Sequence, residues 1–221
     1  MGSVDSYVAV CPGTNFMQSQ TLVTNNLKPL GVDMKKLRKC ESWKGGENKF
    51  VLLKDQAIIA PENVKHITIG LGWDTKADLD ASVLLFDHAD NLVDIVYYDK
   101  LFNKNKSIMH SGDIKDGTMM EGDDEAIFID LEKIPDQVWS IWPIITVSTD
   151  NMYFDSVNGA YCRIMDTKSQ QEFCRFNLNR NKDGTSTANI VGCLRRHVEE
   201  KWSIVAKGLY AEDIRHPDKM P

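Results

Sequence analysis

Residues 122–131 read GDDEAIFIDL, three acids followed at once by an alternating segment. In an extended chain Ile127 and Ile129 point one way, and Phe128 and Asp130 the other. That is the period of a half-buried strand. Around it, short apolar runs recur, bounded by Gly, Asp, Asn or Pro. They predict strands near 49–53, 65–71, 82–87, 92–98, 126–131, 138–148, 160–166, 171–178, 188–196 and 201–207. The segment RRHVEEK between the last two reads as a polar hairpin connection. Strands at this spacing make an all-β, two-sheet β-sandwich the economical architecture. Pro143 inside an apolar run predicts an edge strand or a bulge.

Residues 1–40 lack this alternation and are expected to form an irregular N-terminal extension, a docking arm on the sandwich. The division is then 1–40 extension, 41–210 sandwich and 211–221 C-terminal tail. A chain of 221 residues is long enough for one domain with a real core. Its net charge of −6 gives no electrostatic footprint for nucleic acid. No apolar run reaches the length of a membrane span. Five cysteines, an odd number with no CxxC pair, favour neither a zinc site nor a disulfide framework. Cys162, Cys174 and Cys193 fall in apolar segments and read as small buried hydrophobes. The expected setting is reducing and cytoplasmic.

The acids form two groups at strand mouths. GWDTKADLDASVLLFD (72–87) carries Asp74, Asp78 and Asp80, and an extended backbone puts Asp78 and Asp80 on one side. Farther along stand Asp113 and the run Asp123, Asp124 and Glu125. Carboxylates about 4 Å apart repel by roughly 4 kcal/mol at an effective dielectric near 20. Converging groups must therefore protonate, separate or hold a cation. Singly, each acid is ordinary turn chemistry. Together, hard oxygen donors with almost no histidine or cysteine nearby suit calcium.

Other chemistry is poorly supported. NRNKDGTSTANI (179–190) imitates an EF-hand loop but ends on Ile190 instead of the bidentate Glu, and is read as a hairpin turn. GLGWDT lacks the third Gly of a dinucleotide fingerprint and is read as a strand-end turn. No GxSxG, HExxH or Walker A sequence is present, so no catalytic residue and no enzyme activity is expected. At the N-terminus, Gly2 followed by Ser6 matches the short myristoylation pattern. Cys11 and the basic run Lys35, Lys36, Arg38 and Lys39 are candidate second membrane signals. The competing reading is an unmodified terminus.

The ordered strings KGGENKFVLL, ITIGLGWD, DLDASVLL, HSGD, GDDEAIFIDL, FDSVNGAYCRIMD and KWSIVAKGL resemble the TerD-like tellurium-resistance and calcium-binding stress-protein domain, over about Trp43 to Leu209. The resemblance implies a calcium-binding β-sandwich without enzymatic activity. In some eukaryotic members it implies calcium-dependent or cyclic-AMP-binding proteins. By position, its metal ligands fall on Asp78, Asp80, Asp113, Asp123, Asp124 and Glu125, with Asp74 in the matching GWD turn. Ile114 stands where the family has Asn, and KDGTMME is longer and greasier than usual, so one or two calcium ions are both open, with Asp99 a possible compensating ligand. The resulting expectation is a binding or scaffolding module with unidentified protein partners. The alternative is a structural component of a larger cytoskeletal or membrane-associated assembly, in which metal serves only fold stability.

Overall fold

The computed structural model describes Leu52 and residues 54–118, 122–178, 184–197 and 201–219, together with the backbone of Val8–Ala9. In chain order the strands are β1 (Val8–Ala9), β2 (Ala57–Ile59), β3 (His66–Gly72), β4 (Leu79–Phe86), β5 (Leu92–Val96) and β6 (Ile108–His110). There follow β7 (Glu125–Asp130), β8 (Ser140–Val147), β9 (Tyr161–Asp166), β10 (Glu172–Asn177), β11 (Ser186–Arg196) and β12 (Trp202–Glu212). They form a seven-stranded sheet in the order β1-β2-β12-β11-β8-β4-β5 and a five-stranded sheet in the order β10-β9-β3-β7-β6. Every pairing is antiparallel except β1 with β2.

The core lies between the sheets, and the period-2 alternation builds it. From β3 come Ile67, Ile69 and Leu71, and from β7 Ile127 and Ile129. Across the gap stand Leu79, Ala81, Val83 and Leu85 of β4 with Ile141, Ile145 and Val147 of β8. Cys162 and Cys174 are buried in the same core, and Cys193 is buried too. Burial pushes the thiols of Cys174 and Cys193 up to about 12, so both stay protonated and inert.

Several expectations change. Pro143 sits in β8, which is an interior strand paired on both sides. The bulge it implies lies in the neighbouring strand, where the β11 register shifts between Ile190 and Leu194. Gly70 and Gly72 lie inside β3, so GLGWDT is strand before it is turn. The segment 179–190 joins β10 in one sheet to β11 in the other and is therefore no hairpin. The hairpin of β11 with β12 is formed. The strands β2 and β6 were not anticipated. Leu52, the described residue of the expected strand 49–53, is buried and donates its N–H to the Phe173 carbonyl (2.6 Å) without joining a strand. The rest of that segment, and Gly2 and Cys11, lie outside the described residues.

The topology gathers one end of the sandwich. The starts of β4 and β7 and the ends of β3, β6, β8 and β12 meet there, as the registers Leu79 with Val147, Leu71 with Glu125 and His110 with Ile127 show.

Candidate metal centre

Asp78 directly precedes β4, Asp80 is its second residue, and Asp113 follows β6. One carboxylate oxygen from each lies within 4.8 Å of the others. At that spacing two unit charges repel by roughly 3–4 kcal/mol at an effective dielectric near 20. The surroundings offset little of this. Asp80 is buried, accepting a short hydrogen bond from Ser148 Oγ. Burial, reinforced by Glu125, Asp78 and Asp113, pushes its carboxyl up to about 7. The Asp78 carboxyl is also raised, by burial first and Asp113 second. Its Oδ1 is buried with no hydrogen-bond partner among the described residues. The ammonium facing the group is Lys115, largely exposed and 3.4 Å from Asp113 Oδ2.

A scaffold holds these acids in place. The Asp78 N–H donates to Thr149 Oγ1 (2.7 Å), and the Ser148 N–H returns to the Asp78 carbonyl (2.9 Å). Arg215, beyond β12, donates to the carbonyls of Val147, Thr149 and Met152 (3.0, 2.7 and 3.0 Å), which fixes the loop carrying Ser148. Residues 213–219 thus dock against the site instead of trailing from the domain. Nothing in the sequence pattern marked Ser148, Thr149 or Arg215. Their role comes from contacts across more than sixty positions.

The remaining expected ligands do other work. Glu125 is fully buried; its Oε2 accepts the Ala81 N–H (2.8 Å) and its Oε1 the Ile114 N–H (3.1 Å). It also lies 3.4 Å from His110 Nε2, whose ring meets the Ala81 carbonyl at 3.0 Å. Glu125 therefore ties β4 to the loop bearing Asp113. Asp124 accepts the Trp73 N–H (2.9 Å) through Oδ2, while its buried Oδ1 has no partner among the described residues. Burial raises its carboxyl. Asp74 and Asp99 are exposed and stand outside the group. Ile114 packs partly against the core.

Asp123 is neutralised. Arg163 grips it with Nε and Nη2 (2.8–3.1 Å), and the Tyr161 hydroxyl donates to Oδ1 (2.9 Å). The guanidinium continues to Glu172 (3.0 Å), which also holds Arg175. Desolvation works against the Arg163 charge, but Asp123 and Glu172 outweigh it and raise its pKa. The glycines make room for this lock. A Cβ on Gly70 would stand 2.2 Å from Asp123 Oδ2, and one on Gly72 2.5 Å from the Gly122 carbonyl oxygen.

The family described as "TerD domain" matches residues 50–214. The tellurium resistance protein TerD of Serratia marcescens is 32% identical over 161 residues, 67% of this chain and 82% of that protein. General stress protein 16U of Bacillus subtilis is 34% identical over 159 residues, 66% of this chain and 81% of that one. The crystal structure of a homologue of telluride resistance protein from Streptomyces coelicolor A3(2) superposes with a TM-score of 0.59 at 18% identity. It covers 68% of this chain and 94% of that one, a likeness of fold.

Proposed function

The chain belongs to the TerD domain family, and from that premise we propose that it is a calcium-binding β-sandwich that works by binding and scaffolding in a stress response. The observation that carries the metal is the Asp78 carboxylate. Its Oδ1 is buried without a partner among the described residues, beside two further carboxylates, and among those residues the one ion pair of the three is Asp113 with exposed Lys115. A buried charge without a partner is costly, and a divalent ion removes that cost. The donors are all oxygen, which suits a hard ion such as calcium and disfavours zinc. Asp78, Asp80 and Asp113 would hold the ion, while Glu125, Ser148 and Arg215 position them. The ion would supply positive charge at the mouth of the sandwich. The stress setting comes from relatives whose names record tellurium resistance and general stress.

The second reading, metal as cement for the fold of a structural component, is favoured by one observation. Asp80, buried on β4, is linked through the Ser148 hydroxyl to the Arg215 carbonyl in the docked residues 213–219, so an ion there would join separate parts of the chain. Thermal melting in calcium, magnesium and chelator tests the shared claim. A ligand bound only to the folded state adds about 2.7 kcal/mol at a hundredfold excess over its Kd. The melting temperature should be highest in calcium and lowest in chelator; three equal curves from a chain that elemental analysis shows to carry no calcium would refute calcium binding. A Kd near micromolar supports the binding module, whereas an ion that chelator cannot remove from the folded chain supports the cement.

A further inference from the structure

We propose that the hairpin of residues 101–110, with Phe128 beside it, docks this chain on an anionic lipid surface. The first ground is exposed apolar area. The core takes Ile108 from β6 and Ile127 and Ile129 from β7, so Met109 and Phe128 face outward. The register sets Met109 opposite Phe128, and an isolated bridge sets Phe102 opposite Met109. The three side chains therefore lie in one row across the outer face of the five-stranded sheet, and Leu101 adjoins them in sequence. Phe102 is 49% exposed, Met109 45%, Leu101 40% and Phe128 38%. They are four of the six large apolar side chains exposed among the described residues, gathered at one sheet edge. An exposed apolar cluster of this kind marks a contact surface.

The second ground is charge. Residues 100–112 carry Lys100, Lys104 and Lys106 and no acid, in a chain of net charge −6. Lys100 is engaged with Asp94. Lys104 and Lys106 are exposed and make no ion pair among the described residues; the Lys106 ammonium stands 5.1 Å from the centre of the Phe102 ring. The acids of the adjoining strand and loop are already matched, Asp130 by Lys133 (2.7 Å) and Glu132 by Lys65 (3.0 Å). The turn that presents the lysines is pinned from within. Buried Asn103 accepts the Ile108 N–H (3.0 Å) and donates to Ser107 Oγ (2.8 Å), and Asn105 donates to the Lys133 carbonyl (2.7 Å). Little conformational freedom is then lost on docking.

Composition selects lipid over protein. Phe and Met suit either kind of partner, but protein interfaces are rich in Arg, Tyr and Trp and poor in Lys. Residues 100–112 have three lysines and no Arg, Tyr or Trp. Phe, Leu and Met can enter the boundary between headgroups and acyl chains while the lysines meet the phosphates. Such a contact lies on the membrane and does not cross it.

The experiment sediments the full chain, in chelator so that calcium bridges nothing to lipid, with vesicles of equal parts phosphatidylcholine and phosphatidylserine. The chain should pellet with these vesicles, less at high salt, and stay in solution with phosphatidylcholine alone. Phe102→Ser should weaken binding about tenfold. Lys104→Gln and Lys106→Asn should each weaken it about fivefold. Asparagine suits the left-handed backbone at 106, where φ is 58°. Lys168→Gln, in the turn after β9 near the opposite edge of the same sheet, loses the same charge and should leave binding within about twofold. All four variants change exposed side chains and should melt like the parent. No pelleting of the parent, equal binding to neutral vesicles, or patch variants that bind like the parent would overturn the proposal. So would a dimer in light scattering that Phe102→Ser dissociates, which would assign the patch to a second copy of the chain.

Discussion

Two acidic strand mouths stand at the same end of this sandwich, and they differ in what faces them. At the start of β7, Asp123 meets the Arg163 fork, the Tyr161 hydroxyl and, through Glu172, a second arginine. At the start of β4, the carboxylates of Asp78, Asp80 and Asp113 meet each other, the Ser148 hydroxyl and exposed Lys115. The first group is internally neutral and ties the mouth of β7 to β9 and β10 of the same sheet. The second keeps its charge problem and is the one open to an ion. Counting carboxylates does not separate a candidate metal site from an ion-pair lock; the cations that face them do.

The sharpest way to break this contrast is to remove one charge from each side. Asp80→Asn should weaken calcium binding about a hundredfold, ~2.7 kcal/mol, in competition with a chromophoric chelator. Asp123→Asn should leave the affinity within about twofold on the same scale. If Asp123→Asn proves the more damaging to affinity, the two mouths have been assigned the wrong way round.

Next comes Gly70→Ala, which drives a methyl into the Asp123 carboxylate and leaves Arg163 without its main partner. Loss of a charged hydrogen-bonded pair should cost about 2 kcal/mol of stability, read by urea denaturation. Calcium affinity should barely move. A Gly70→Ala variant as stable as the parent would show that the lock contributes nothing.

A smaller effect is expected from pH. The Asp80 carboxyl titrates near 7 in the folded chain against 3.8 as its ordinary value. The unfolded chain thus gives up this proton first, and the contribution is whole below the ordinary value and lost as pH rises through about 7. In chelator the melting temperature should therefore fall between pH 5 and pH 8. With saturating calcium the fall should shrink or reverse, because the ion binds the ionised form. A chelator curve that rises over this range would contradict the assignment. The smallest effect belongs to Asp183→Asn in the EF-hand imitation, expected to shift stability by less than about 0.5 kcal/mol and calcium affinity not at all.

Most of the strands were legible because alternating or continuous apolar runs are long enough to show a period, as in β7 and β8. The strands β2 and β6, three residues each, are too short to show one. Pro143 marked an irregularity in the pairing, but no local pattern records that β8 is an interior strand or that the register shift lies in its partner β11. In the site, Asp78, Asp80 and Asp113 stood among the seven acids that residue type and resemblance named, but nothing local separated these three from the other four. The fate of Asp123 could not be read, because Arg163 stands forty positions away and nothing local links them. Gly70 offered a signal in retrospect: a glycine inside an otherwise apolar strand marks a close approach of something else.

The most direct test is a calorimetric titration of the chelator-stripped full chain with calcium at pH 7.5. The account predicts saturable binding, with about one ion per chain held by Asp78, Asp80 and Asp113. Run at pH 6.5 in buffers of different ionisation heat, the same titration should reveal proton release, since Asp80 must ionise to bind. A flat titration with no saturable heat in any of these buffers, and no calcium carried by the chain before stripping, would contradict the claim that this mouth of the sandwich is a metal centre.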